Sequence, residues 1–121
     1  MTQSLKGIRV LDSAHQYPGP YCSTLLSDLG AEIIKVERPG TGDPARRARG
    51  FFRAINRGKK SLTLDLKIPE ARDIFYRLVN TADVVTEGFR PGVAGRLGID
   101  FPTLQKINPR LIFCSISGFG Q

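Results

Sequence analysis

The feature of this sequence that most suggests chemistry is a concentration of positive charge in one segment. Residues 35–60 hold nine lysines and arginines against two acidic residues, whereas the rest of the chain holds nine of each sign. The whole net charge of +7 therefore comes from this segment. Such a local excess is expected where a polyanion is held, because guanidinium and ammonium groups bind phosphates. The alternative is a solvated loop whose charge is balanced elsewhere in the protein.

Three places in the chain are suited to contact a ligand. Arg38 directly follows a predicted strand, and residues 56–60 (NRGKK) carry further phosphate-binding groups. His15, the one histidine, lies in the loop after the first predicted strand. Without an acid or nucleophile at fixed spacing, it does not indicate proton transfer. No GxSxG motif, paired carboxylates or metal-ligand cluster is found, so motifs alone assign no catalytic residue and no metal.

A dinucleotide-binding loop is the first alternative for the segment after strand one. Glu37 ends the second predicted strand, where such folds place a ribose-binding acid. However, residues 13–20 (SAHQYPGP) contain one glycine and two prolines, whereas GxGxxG needs three glycines to admit a pyrophosphate. A nicotinamide or flavin site is therefore disfavoured. Nucleic acid is also disfavoured as a partner, since Phe51 and Phe52 are the only aromatic residues in the basic segment.

Length and composition fit one α/β domain, with 121 residues of which 40% are apolar. No apolar run approaches the roughly 18–20 residues that a membrane span needs, and residues 1–7 lack the apolar stretch of a secretory signal. We therefore expect a cytoplasmic protein without membrane contact. Cys22 and Cys114 lie far apart without metal-ligand spacing, and both are expected to be small buried residues rather than a disulfide.

The elements that must position these residues alternate between strands and helices. Apolar, β-branched runs predict strands at residues 8–12, 32–37, 61–65, 84–87 and 111–117, and helices are predicted from Pro20, from Pro69, at 93–97 and at 102–107. The buried side of the first helix is predicted to consist of Tyr21, Leu25, Leu26 and Leu29. Residues 38–60 show no clear period and are predicted to be a long loop. This pattern indicates an α/β fold, a Rossmann-like parallel sheet with flanking helices.

Taken as a set in one register, the residues resemble family III CoA-transferases. That family includes formyl-CoA transferase, carnitine CoA-transferase and alpha-methylacyl-CoA racemase. The stretches that carry the resemblance are residues 5–12 (LKGIRVLD), 19–20 (GP), 28–39 (DLGAEIIKVERP), 42–43 (GD), 56–59 (NRGK), 64–66 (LDL), 82–85 (ADVV), 89–92 (FRPG), 97–98 (LG), 108–112 (NPRLI) and 117–120 (SGFG). They extend over essentially the whole chain, so the resemblance is more specific than any single motif.

The resemblance implies that coenzyme A or acyl-CoA binds as a substrate. The implied contacts are the first-strand loop (His15, Gln16, Tyr17 and Pro18), Arg38, Leu64, Gly88, Phe89 and Arg96. Gly88 stands where the family usually has Asn, so that side-chain contact is lost. Pro18 stands where the family usually has Ala, which changes the loop. The resemblance also implies an interlocked homodimer in the full-length enzyme.

The implied reaction moves CoA between an acyl-CoA and a carboxylic acid. In family transferases an aspartate forms mixed anhydrides and receives CoA transiently as a thioester. The catalytic groups lie beyond the Gly118–Gly120 turn, so residues 1–121 are expected to be the N-terminal, truncated portion of the CoA-binding domain and inactive alone. Racemisation of an acyl-CoA and a non-catalytic CoA-binding fragment are the alternatives.

Overall fold

The order of the strands places the first strand of the chain at the centre of the sheet. The computed structural model describes residues 3–121, and its strands are β1 (Arg9–Asp12), β2 (Glu32–Glu37), β3 (Lys60–Thr63), β4 (Val84–Glu87) and β5 (Ile112–Ser115). They form one parallel sheet in the order β3-β2-β1-β4-β5. The predicted α/β fold with a Rossmann-like parallel sheet is confirmed. Because the strand order reverses beside β1, a ligand crevice is expected at the carboxyl ends of β1 and β4.

Five α-helices connect the strands. They are α1 (Pro18–Asp28), α2 (Arg49–Asn56), α3 (Pro69–Val79), α4 (Val93–Leu97) and α5 (Phe101–Ile107), and a 3-10 turn spans Pro44–Arg47. Proline occupies the first turn of α1, α3 and α5, where its missing N–H has no helical partner to lose. None of the helices within residues 3–121 is long and apolar enough to cross a membrane.

The prediction of a long loop at residues 38–60 was wrong, because α2 and the 3-10 turn lie within it. The helix is short and has Gly50 in its first turn, so its sequence carries little helical propensity. It forms because Ile55 and Asn56 are buried and because Thr24 of α1 donates a hydrogen bond to the Ile55 carbonyl. Tertiary contacts with α1 therefore outweigh the weak local preference.

The core is divided by the sheet, since neighbouring residues of a strand point to opposite faces. Leu11 of β1 belongs to the larger cluster, which includes Phe75 of α3 and Leu104 of α5. Val10 points the other way and packs in a smaller cluster with Leu26 of α1. Helices α3 and α5 therefore cover one face of the sheet and α1 covers the other. Burial on both faces explains why the inner strands β1, β2 and β4 carry adjacent apolar residues, whereas the edge strand β3 is largely exposed.

The buried side of α1 was predicted incorrectly. Its buried residues are Gly19, Pro20, Ser23 and Thr24. Tyr21, Leu25 and Leu29 are between 43% and 50% exposed, and Leu26 alone of the predicted stripe packs against the core. Small residues form the buried side of α1 because the helix packs closely on the loop after β1. A Cβ added at Gly19 would lie 2.1 Å from the Cβ of Ala14. Only small residues fit at this contact.

We predict that Gly19→Ala destabilises the protein, although alanine is the better helix former. The added methyl overlaps Ala14 and forces the loop or α1 to shift, which costs about 1–3 kcal/mol of unfolding free energy. Gly50→Ala is the matched control, because it lies in a helix with nothing within 4 Å of the added Cβ, and it should be neutral or stabilise by up to about 1 kcal/mol. Urea unfolding of both variants measures the difference. Equal unfolding midpoints of the two variants would contradict the close packing of α1 on the loop after β1.

Candidate functional site

A cavity of about 550 Å³ opens at the carboxyl edge of the sheet, where the strand order predicts a ligand crevice. It is lined by Ser13, His15, Val36, Glu37, Arg38, Pro39, Pro44, Leu64, Asp65, Leu66, Lys67, Phe89, Val93 and Leu97. These residues come from the ends of β1 and β2, the loops after β2, β3 and β4, and helix α4. The cavity therefore lies at the side of the fold where the loops of the first four strands converge.

The carboxylate of Asp12, which ends β1, is fully buried and holds the loop behind this cavity. One of its oxygens accepts hydrogen bonds from the Thr86 hydroxyl of β4, at 3.0 Å, and from the amide of Ala14. The other accepts from the Ser23 hydroxyl of α1, at 2.5 Å, and from the Lys59 ammonium, at 2.9 Å. A buried carboxylate needs such partners to remain charged.

Lys59 is fully engaged in this network. Its Nζ also donates to the carbonyl of Pro20 at 2.7 Å, to the Ser23 hydroxyl and to Asn56 Oδ1. Burial lowers the pKa of Lys59, and the adjacent Asp12 carboxylate opposes that shift. With its ammonium surrounded by protein oxygens and its side chain 2% exposed, Lys59 is a structural cation rather than a phosphate ligand.

A second buried ion pair fixes the start of the loop after β2. Lys35 Nζ lies 2.8 Å from Asp43 Oδ2 and donates to the carbonyl of Ala14 at 2.9 Å. The other Asp43 oxygen accepts the amides of Ala45 and Gln16. Burial would raise the pKa of Asp43, but the Lys35 ammonium and these amides lower it below its ordinary value. The pair thus ties the β1 loop to the β2 loop.

Gln16 carries the local strain of this arrangement. Its φ of 72° is the one left-handed backbone among the non-glycine residues of the described chain. A non-glycine residue in this region is held there by its surroundings, and here the amide of Gln16 donates to Asp43 at 3.0 Å. Its side chain is exposed and does not line the cavity.

Glu37 lines the cavity but is already saturated with hydrogen bonds. Its two oxygens accept from Arg46 Nε and Nη2, from the Asp43 amide and from the Ser61 hydroxyl, all within 2.8 Å. Burial would raise its pKa, but these donors prevail and hold the pKa at about 2. Glu37 is therefore not free to bind a ribose, which agrees with the rejection of a dinucleotide site from the sequence.

Two polar atoms at the cavity have no hydrogen-bond partner within residues 3–121. They are Ser13 Oγ and His15 Nε2, both buried. The His15 ring packs edge-on against Phe89, with centroids 6.2 Å apart. Burial and the neighbouring Lys35 charge lower the pKa of His15, so the imidazole is neutral at pH 7. Buried polar groups are normally paired, so two orphans at one cavity indicate a ligand-contacting surface.

The predicted contact residues separate into two groups. His15, Arg38, Leu64 and Phe89 line the cavity together. The others, Gln16, Tyr17, Pro18, Gly88 and Arg96, do not line it. Tyr17 is half exposed, stacks on Tyr21 and has the Phe51 ring tilted against it. Pro18 begins α1, Gly88 lies against Ala14, and Arg96 is exposed in the last turn of α4. Their roles in binding remain predictions.

Sequence reasoning missed Ser13 and Lys67. Ser13 follows β1 directly, and the rule that ligands bind at the ends of parallel strands could have named it. Lys67 lies in the loop after β3, outside the basic segment at residues 35–60. With Arg38 it supplies the cations at this cavity, and both side chains are exposed.

Most of the basic segment is used for structure. Five of its nine cations form salt bridges within residues 3–121, namely Lys35, Arg46, Arg57, Lys59 and Lys60. Arg49 and Arg53, with Phe52 and Arg46, line a separate surface hollow of about 270 Å³ that shares no residue with the cavity. Within the described chain, Arg38 is the single cation of the segment that lines the cavity.

Residues 5–121 match the family model of CoA-transferase family III. The chain belongs to this family. The resemblance seen in the sequence is thereby confirmed, and the match extends over nearly the whole chain.

Two curated relatives resemble this chain over part of their length. It is 44% identical over 128 aligned residues to formyl-CoA:oxalate CoA-transferase of Afipia carboxidovorans, covering 99% of this chain and 30% of that protein. It is 48% identical to acetyl-CoA:oxalate CoA-transferase of Acetobacter aceti, covering 95% and 31%. The chain thus spans about 30% of the length of these family III relatives.

Solved structures of this family share the fold. The hypothetical protein Rv3272 from Mycobacterium tuberculosis superposes with a TM-score of 0.94 at 44% identity, covering 98% of this chain and 34% of that one. A CAIB/BAIF family protein from Brucella suis gives a TM-score of 0.93 at 40% identity, covering 98% and 34%. The sheet and helices described above are therefore shared with the matching third of these two proteins.

We predict that Lys59→Met destabilises the protein strongly, by about 3–5 kcal/mol, because it leaves the Asp12 carboxylate without its cation. Lys60→Met is the matched control: Lys60 is 71% exposed and its bridge to Glu32 contributes at most about 1 kcal/mol. Thermal and urea unfolding measure both. If Lys59→Met unfolded at the wild-type midpoint, the assignment of Lys59 as a structural cation would be wrong.

Proposed function

We propose that the protein containing this chain is a CoA-transferase that moves CoA between an acyl-CoA and a carboxylic acid, and that the cavity binds the nucleotide end of CoA. The observation that carries the proposal is the composition of the cavity in a chain of this family. It combines apolar walls, two orphan polar atoms and two exposed cations. Transfer is preferred to racemisation because both curated relatives described above are transferases by name.

The chemistry of CoA matches what the cavity offers. CoA carries a 3′-phosphate and a diphosphate next to a ribose and an adenine base. Arg38 and Lys67 can bind phosphates, while Leu64, Leu66 and Phe89 present apolar surface to an uncharged group. Arg38 is suited to the task, because its Nε donates to the carbonyl of Gly42 at 3.3 Å and its terminal nitrogens remain available in the described chain. The phosphates would therefore lie at the cavity mouth.

The family resemblance implies that the nucleophile of the proposed reaction lies outside this cavity. In the route implied by the family resemblance, an aspartate oxygen attacks the acyl carbonyl, the C–S bond breaks and CoA leaves as the thiolate. Within the described residues, Asp12 and Glu37 are saturated by hydrogen bonds. Asp65 lines the cavity, and one of its two oxygens accepts the amide of Lys67. We propose that this chain holds CoA and that the aspartate is supplied by other residues of the enzyme.

Homodimer formation is also part of the proposal. The exposed apolar side of α1, formed by Tyr21, Leu25 and Leu29, supports it, since such a surface is usually covered by protein. Light scattering of the full-length protein tests this: the mass of two chains is expected, and a monomer would contradict it. The cytoplasmic location stays a prediction.

Arg38→Ala is expected to weaken CoA binding about tenfold or more, because one charge-assisted phosphate contact is lost. Arg110→Ala is the control with the same change of charge, since Arg110 is exposed and precedes β5, at the opposite edge of the sheet. Calorimetric titration of the full-length protein at two salt concentrations measures both, with the difference shrinking at high salt. Equal weakening by the two variants would mean that general charge, not a site, drives binding.

Turnover is tested with the full-length protein carrying this sequence. Incubation with formyl-CoA or acetyl-CoA and oxalate should form a new CoA thioester of the acid, detected by mass spectrometry. A protein that binds CoA but exchanges it with no carboxylate, while inverting an acyl-CoA stereocentre, would refute the transferase assignment.

A further inference from the structure

The Ser13 hydroxyl is a buried polar group to which the fold gives no hydrogen-bond partner in the described residues. Ser13 is 2% exposed, directly follows β1, and lines the cavity. Its amide donates to the carbonyl of Thr86 at 2.8 Å, so the backbone is fixed by the sheet. Its Oγ, in contrast, has no hydrogen-bond partner within the described residues. A hydroxyl in this state is costly unless a bound molecule pairs with it.

Two other serines in this part of the structure have hydroxyls that are hydrogen-bonded. Ser23 Oγ donates to Asp12, and Ser61 Oγ donates to Glu37. The hydroxyls of Ser23 and Ser61 are thus paired, whereas Ser13 Oγ and His15 Nε2, which belong to two residues that line the cavity, are both unpaired in the described residues. A serine hydroxyl can donate and accept, and a neutral imidazole can do either according to its tautomer. Together they suit a ligand edge that carries both a donor and an acceptor.

The covalent order of the groups in CoA indicates which group has an edge with both a hydrogen-bond donor and an acceptor close to the phosphates. The phosphates belong with Arg38 and Lys67, both exposed. The adenine base is separated from the phosphates by one ribose, and it is flat, uncharged and apolar on its faces. Its edge carries the N6 amino donor next to ring-nitrogen acceptors. The apolar walls and the aromatic ring of Phe89 fit the faces, and the orphan pair fits the edge.

We infer that Ser13 is a specificity-determining residue that hydrogen-bonds the edge of the adenine base, an inference that rests on the proposed binding of CoA. The hydroxyl contributes to recognition of the base and not to the phosphates or the thiol arm. Ser13 lies outside the set of contacts predicted from the sequence, and it acts through binding alone.

The test compares CoA with 1,N6-etheno-CoA, which keeps the phosphates and the thiol arm but has both N6 protons replaced. Wild-type full-length protein, Ser13→Ala and the control Ser4→Ala, an exposed serine outside the cavity, are titrated calorimetrically with each. The wild type and Ser4→Ala should bind CoA about five- to tenfold more tightly than etheno-CoA. Ser13→Ala should lose about that factor for CoA and bind the two compounds nearly equally. Unfolding midpoints verify that Ser13→Ala is folded.

The outcomes separate this inference from the function on which it rests. If wild-type protein binds CoA and Ser13→Ala keeps the same affinity or the same preference over etheno-CoA, the role of Ser13 is overturned and the proposed function stands. If wild-type protein does not bind CoA, the proposed function fails and this inference fails with it.

Discussion

The structure depends on one buried carboxylate, that of Asp12 at the central strand. Its oxygens join α1 through Ser23, β4 through Thr86 and the turn before β3 through Lys59. Because an ionised carboxylate without partners is too costly to bury, these segments must be in place together. The loop that starts at Ser13 leaves the sheet from this point, so the position of the cavity wall follows from the Asp12 network.

The cations of this chain have two different roles: some pair with buried acids, and others line the cavity. The buried cations Lys35 and Lys59 pair with the buried acids Asp43 and Asp12 and do not line the cavity. The exposed cations Arg38 and Lys67 lie at the cavity and have no acid paired with them in the described chain. The strong charge of the basic segment is therefore a poor measure of how much of it meets a polyanion. The geometry around each ammonium and guanidinium decides its role.

The strands were the part most predictable from the sequence, since Glu32–Glu37 and Val84–Glu87 were placed with the observed limits. Local patterns mark such strands because β-branched runs are buried on both faces. The helix Arg49–Asn56 was missed because its stability comes from packing on α1, which no local pattern encodes. The sequence predicts Lys59 to be a phosphate ligand, because it shows that a cation is present but not that this cation pairs with Asp12, 47 residues away. Ser13 was missed for the related reason that an unpaired hydroxyl is visible only once its neighbours are known.

We propose that the paired cations Lys35 and Lys59 hold the loops in place and that the cavity at the carboxyl edge receives the nucleotide. A crystal structure of the full-length protein with CoA is the decisive test. We expect the base against Phe89 and Leu64, a phosphate on Arg38, and the Lys59 ammonium still on Asp12. A nucleotide seated instead on the Arg49 hollow, with the cavity empty, would contradict it.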